Sequence, residues 1–187
     1  MDIVEDNISE KVIIIVPGIG GKIQSTEDAR DFFVKNDFSV VRFPIKYDSL
    51  HKVSEKIDEV ITYCEKYKQV YIIAKSLGGP AVFLSKGAEK IVMWDPSLDL
   101  KWLASKIEKK TEGYFLRNHP ISNELYQEFL TLDIVSKIKD EKIILAGSGP
   151  YAHFKDKINA QTIKGANHKF SDHKEELFSM TLKILKN

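Results

Sequence analysis

Short apolar runs recur along the chain at fairly regular intervals: Lys11–Val16 (KVIIIV), Phe38–Phe43 (FSVVRF), Gln69–Ala74 (QVYIIA), Ile91–Trp94 (IVMW), Lys142–Ala146 (KIILA) and Ala160–Lys164 (AQTIK). Most are rich in Ile and Val, and each closes on Gly, Pro or a polar turn, as in Pro17-Gly18, Asp95-Pro96 and Gly147-Ser148-Gly149-Pro150. Runs that are apolar without alternation predict strands buried on both faces, as in a mostly parallel sheet.

Segments of helical period lie between them. Ser25-Thr26-Glu27-Asp28 reads as a helix start, with Phe32 and Phe33 as core positions. Val53, Ile57, Val60, Ile61 and Cys64 recur at three- and four-residue spacing, so Cys64 reads as a core residue. Pro80–Lys86 suits a helix under the third strand, and Lys174–Lys186 places Leu177, Phe178, Thr181, Leu182 and Leu185 on one face. This alternation predicts an α/β three-layer sandwich with a central sheet of about six strands. One stretch breaks the rhythm. Residues 97–139 offer no strand and read as helices over Leu98–Lys109, Asn123–Leu130 and near Val135. This is a helical insertion after the fourth strand, either a lid over a site or a cap that lengthens the core.

Composition narrows the field. The 187 residues predict one domain, 1–187, containing that 97–139 insertion. A formal charge of +1 gives no footprint for nucleic acid. Cys64 is the sole cysteine, which excludes an internal disulfide and cysteine-rich zinc sites. The acidic opening Met1-Asp2-Ile3-Val4-Glu5-Asp6 is unlike a secretory signal, and no run reaches the roughly 20 apolar residues of a membrane span. A cytoplasmic protein with no membrane association is expected.

Three stretches could carry chemistry. In Ala74-Lys75-Ser76-Leu77-Gly78-Gly79 a buried strand runs directly into Ser76, with small residues two before and two after it, and then into a helix. That is the pattern of a nucleophile elbow, in which serine sits on a tight strand-to-helix turn above a helix N-terminus; the plain alternative is Ser76 as a helix N-cap. Pro17-Gly18-Ile19-Gly20-Gly21 follows the first strand, where backbone N–H groups could face an oxyanion. It matches neither a phosphate-binding P-loop, since Val16 and Ile23 stand where Gly and Ser/Thr are required, nor the dinucleotide fingerprint, since Ile23 replaces its last Gly. A flexible turn is the plain alternative. Gly165-Ala166-Asn167-His168-Lys169-Phe170 follows the last strand, where His168 stands late in the chain as a base would in the order Ser, acid, His.

Together these stretches resemble the α/β-hydrolase family, over nearly the whole chain from Lys11 onward, and most of all its small, minimal serine hydrolases. The resemblance implies Ser76 as nucleophile, His168 as base, and an oxyanion hole from the N–H groups of Leu77 and Ile19. It implies a carboxylesterase-like serine hydrolase working through an acyl-enzyme, with a small acyl substrate as partner, no cofactor and no metal. The triad acid departs from the family pattern. An Asp is common as Gly-x-x-Asp after the strand ending at Ala146, and here Pro150 stands in its place. Asp95, at the end of the strand after the nucleophile helix, is the favoured replacement; a turn-forming Asp-Pro is its plain reading, and Asp172, Asp99 or no carboxylate at all remain alternatives. Asp156 falls near the opposite end of the last strand.

Gly18, Trp94, Tyr114 and Phe115 are candidates to bind substrate, with Trp102 and Tyr126 as further aromatics; plain core is the alternative for such residues. Lys75 reads as structural or solvent-facing because strand neighbours point to opposite faces. His119, His153 and His173 read as surface residues. The competing function is an inactive hydrolase-fold protein that binds a ligand or partner, favoured by Pro150; a third is acyl transfer to an alcohol or amine.

Overall fold

The computed structural model describes residues 3–6 and 9–187. Among them, seven strands form the central sheet, in the order β1-β3-β2-β4-β5-β9-β10. These are β1 (Val4–Asp6), β2 (Lys11–Val16), β3 (Ser39–Arg42), β4 (Gln69–Lys75), β5 (Lys90–Trp94), β9 (Lys142–Ala146) and β10 (Gln161–Ile163). All neighbours pair in parallel except β1, which runs antiparallel to β3 with Glu5 opposite Val41. The six runs read from the apolar pattern all lie in this sheet. The edge strand β1, with residues Val-Glu-Asp, carries no apolar signal and adds a seventh.

Alternation along the central strands divides the core into two layers. Val12, Ile14, Val16, Ile72 and Ala74 face α2 (Leu50–Tyr63) and α3 (Gly78–Leu84). Ile13, Ile15, Ile73, Val92 and Trp94 face α1 (Glu27–Val34) and α6 (Lys174–Lys186) through Phe33, Leu177 and Phe178. Cys64 is fully buried just beyond α2, and burial pushes its thiol up to about 12. Helix α2 starts where the Ser49 hydroxyl accepts from the Lys52 N–H at 3.3 Å. The Glu128 carboxylate, from another element, also accepts from the Leu50 and His51 N–H groups.

The 97–139 insertion is not purely helical. After α4 (Leu100–Ala104) the chain forms a separate three-stranded antiparallel sheet of β6 (Glu108–Lys110), β7 (Gly113–Leu116) and β8 (His119–Ile121). Helix α5 (Asn123–Thr131) and a single 3-10 turn, Val135–Lys137, follow. The helix expected over Leu98–Lys109 therefore stops at Ala104. The reason lies in the turn between β7 and β8: Arg117 and Asn118 both have positive φ, +48° and +67°, the pair of left-handed residues that a two-residue hairpin needs. Pairing of Phe115 with Pro120 and Tyr114 with Ile121 closes that hairpin, and Glu108 and Lys109, the end of the expected helix, pair with Phe115 and Tyr114 as its third strand.

Candidate active site

The site forms where β2, β4, β5 and β9 end. Strand β4 runs through buried Ala74 to Lys75, and Ser76 follows with φ +52°, a strained conformation for a residue with a side chain. Its N–H donates to the Trp94 carbonyl at 3.1 Å, and its own carbonyl accepts from the Gly79 and Ser97 N–H groups at 3.1 and 3.0 Å. Helix α3 begins two residues later, at Gly78. The small residues are required by crowding: a Cβ on Gly78 would lie 2.8 Å from the Val16 carbonyl oxygen, and one on Gly18 would lie 2.9 Å from Ser76 Cβ. The turn after β2 thus packs directly on the serine. Below it, the buried Tyr47 hydroxyl donates to the Pro17 carbonyl, and burial raises that phenol well above its ordinary range.

His168 lies in the loop after β10, three residues past Gly165, whose φ of +78° turns the chain back over the sheet. Its Nε2 is 3.0 Å from Ser76 Oγ, and its Nδ1 is 2.5 Å from Asp95 Oδ2. Asp95 follows β5, is fully buried, and has φ +43°. The other carboxylate oxygen, Oδ1, accepts from the Ala146 N–H at 3.1 Å, while the Asp95 N–H donates to the Ile144 carbonyl at 2.8 Å. Serine, imidazole and carboxylate therefore form one continuous hydrogen-bonded line. Asp99 is occupied elsewhere, capping α4 through the Trp102 N–H at 2.8 Å. Asp172 and Asp156 are exposed.

Two cavities meet at Ser76 and His168. The smaller, about 30 Å³, is lined by Ile19, Leu77, Leu103, Leu116 and Tyr151 among others. The larger is a groove of about 620 Å³ on the α1–α6 side, floored by Ile15, Ile73, Trp94 and Phe178 and including Gly18. Gly18, Ile19, Leu77 and Trp94 are thus all at the site, Trp94 with its indole N–H held by Thr181 Oγ1 at 2.9 Å. Tyr114 and Phe115 are not. The Tyr114 ring stacks on Tyr126 at 4.7 Å and the Phe115 ring meets the Lys110 ammonium, while neither lines either cavity. The next residues along, Leu116, Arg117 and His119, reach the site instead.

Several site residues escaped the sequence reading. Tyr151 is buried with its ring 6.5 Å from the His168 ring, and burial pushes its phenol up to about 12. His119 is exposed, but it sits over the glycine turn, where a Cβ on Gly20 would collide with its ring at 2.2 Å. Lys75 lies in the groove wall with its ammonium donating to the Lys169 carbonyl at 3.2 Å. Burial, with Lys174 and Lys169 nearby, holds its pKa below the usual lysine range. Among the described residues, no group of three or more His, Cys, Asp or Glu could hold a metal ion, and no helix is long and apolar enough to cross a membrane.

No protein-family model and no curated protein matches the sequence. Solved structures do match the fold. Est1E from Butyrivibrio proteoclasticus superposes with a TM-score of 0.78 at 14% identity, covering 98% of this chain and 92% of that one. The monoacylglycerol lipase of Paleococcus ferrophilus superposes at 0.73 and 12% identity, covering 99% and 98%. MGS-MChE2, described as an α/β-hydrolase enzyme from a lagoon-sediment metagenome, superposes at 0.69 and 15% identity, covering 98% and 94%. At these identities the likeness concerns the fold.

Proposed function

The chain has the α/β-hydrolase fold, and from that premise we propose that it is a serine hydrolase that cleaves carboxylic esters through an acyl-enzyme on Ser76. The observation that carries this reading is the line Ser76 Oγ–His168 Nε2 at 3.0 Å and His168 Nδ1–Asp95 Oδ2 at 2.5 Å, on a serine held at φ +52°. An N-cap serine needs neither a histidine nor a buried carboxylate behind it. The similar structures, a monoacylglycerol lipase and an α/β-hydrolase enzyme among them, support the same class.

His168 Nε2 takes the Ser76 proton as Oγ attacks the ester carbonyl, and the N–H groups of Leu77 and Ile19 receive the oxyanion. Collapse breaks the carbon–oxygen bond to the alcohol, which leaves with the proton carried by His168. Water then attacks the acyl-enzyme with His168 again as base, releasing the acid and free Ser76. Asp95 keeps the proton of neutral His168 on Nδ1 and stabilises the imidazolium. Each oxyanion donor contributes roughly 10²–10³ in rate. The reading of an inert binding protein drew its support from Pro150; a carboxylate 2.5 Å from His168 leaves it without that support.

A fluorophosphonate probe tests the proposal by intact mass and peptide mapping. One adduct on Ser76, absent from Ser76→Ala and from His168→Ala, is the expected result. Folded wild-type protein that takes no adduct refutes it. Product analysis with an added alcohol acceptor separates hydrolysis from acyl transfer.

A further inference from the structure

The groove on the α1–α6 side of Ser76 is unusual in its charge. Lys75, Arg117, Lys169 and Lys174 line it, against Asp28 alone among acids. Lys174 is ion-paired with Asp28. Lys75, Arg117 and Lys169 form no ion pair among the described residues, and only the charge of buried Asp95 partly offsets that of Lys75, in a chain whose formal charge is only +1. Such a local excess is not the sum of a basic surface; it is concentrated where substrate must lie.

Lys75 is central to that excess. It stands on the residue before Ser76, on the face of β4 that also bears Ile73, so its stem crosses the apolar floor. Its head makes one side-chain hydrogen bond, to the Lys169 carbonyl at 3.2 Å, which is a weak return for a half-buried ammonium. Burial and the neighbouring lysines depress its pKa, so a bound anion would relieve both effects at once. Arg117, at the tip of the β7–β8 hairpin, lines both the groove and the small cavity and brings a second cation beside the reacting serine.

We propose that this groove is an anion subsite: the ester cleaved at Ser76 carries a negatively charged group on the half lying along Lys75, Arg117 and Lys169. The other half is short, since the opposing cavity holds only about 30 Å³. The inference rests on the serine-hydrolase reading.

Matched esters followed by pH-stat test it. The acetyl ester of para-hydroxybenzoate against its methyl ester puts the charge on the leaving group. The monoethyl ester of adipic acid against ethyl hexanoate puts it on the acyl half, so the two comparisons reveal which half the groove holds. The expected ratio of kcat/KM, charged over neutral, is about tenfold or more in one comparison, falling at least about fivefold in Lys75→Met and further in Lys75→Met/Arg117→Met, and falling as salt is added. Ratios near or below one in both comparisons, from protein whose Ser76 takes a fluorophosphonate, overturn the subsite and leave the hydrolase reading standing. A preference unchanged by both replacements also overturns it. Folded protein whose Ser76 takes no probe overturns the hydrolase reading and this inference with it.

Discussion

Replacing Asp95 with Asn tests the assignment of the acid with almost no change of shape. The carboxylate now does two things: Oδ2 accepts from His168 Nδ1 at 2.5 Å, and Oδ1 accepts from the Ala146 N–H at 3.1 Å. An amide can do only one of them. With its oxygen on Ala146, its NH₂ faces Nδ1 and forces the proton onto Nε2, so His168 donates to Ser76 and cannot take its proton. With its oxygen on His168, two N–H donors face each other at Ala146, in a place with no solvent, at about 1–3 kcal/mol. The first arrangement is the cheaper, and it holds the wrong tautomer. The measured loss for that change in a serine protease is about 10⁴, or about 5 kcal/mol of transition-state stabilisation. Turnover of p-nitrophenyl acetate and the rate of fluorophosphonate labelling should therefore both fall by about four orders of magnitude. The variant should stay folded by circular dichroism. Turnover within about tenfold of wild type would take Asp95 out of the mechanism, whatever its distance from His168.

Four other substitutions bear on the same geometry. Gly18→Ala sets a Cβ 2.9 Å from Ser76 Cβ and should lower kcat/KM by about a hundredfold, with thermal unfolding reporting a folded protein. Gly149→Ala brings a Cβ to 3.0 Å from Asp95 Oδ2 and should weaken the same turnover by displacing the acid; an unchanged rate would mean that the turn yields freely. Leu103→Ala enlarges the small cavity, so an ester series should shift toward a longer chain in that half, at about 2–5 kcal/mol of stability by denaturant titration. Lys75→Met should raise Tm at neutral pH. Its folded-state pKa lies below the unfolded one, so charging it destabilises the fold at low and neutral pH, and that cost fades as pH rises toward about 10.4. The gain in Tm should shrink over the same range, and a Tm lowered at neutral pH would refute the desolvation argument.

The difference between what the sequence revealed and what it concealed has a physical pattern. Strands β2, β4, β5 and β9 are buried on both faces, so each had to be a continuous apolar run. Strand β1 sits at an edge with Val4 exposed, and β6 is Glu108-Lys109-Lys110 with all three residues exposed; neither needs apolar residues, and pairing alone makes them strands. The places of Ser76 and His168 were legible because an elbow and a loop after the last strand are chain-local features. Tyr114 and Phe115 were misplaced because residue type does not fix direction. On β7 the stack with Tyr126 draws Tyr114 away, and Leu116 turns toward the serine. Lys75 was placed on the face opposite Ser76, but that face carries the groove.

Pro150 and Asp95 are best understood as one arrangement. Strands β5 and β9 are neighbours, with Trp94 opposite Ile144, so their ends stand about one strand spacing apart, roughly 4.8 Å. An acid moved from the end of β9 to the end of β5 travels about that far, within the reach of a tilted imidazole. What the move requires is that the end of β9 receive the carboxylate instead of supplying one. It does: Ala146 gives an N–H to Oδ1, Ile144 accepts the Asp95 N–H, and Gly149 leaves only 3.0 Å between its Cβ position and Oδ2. With Asp95 Oδ2 already 2.5 Å from His168 Nδ1, position 150 needs no carboxylate, and Pro150 lines the small cavity with Tyr151 instead.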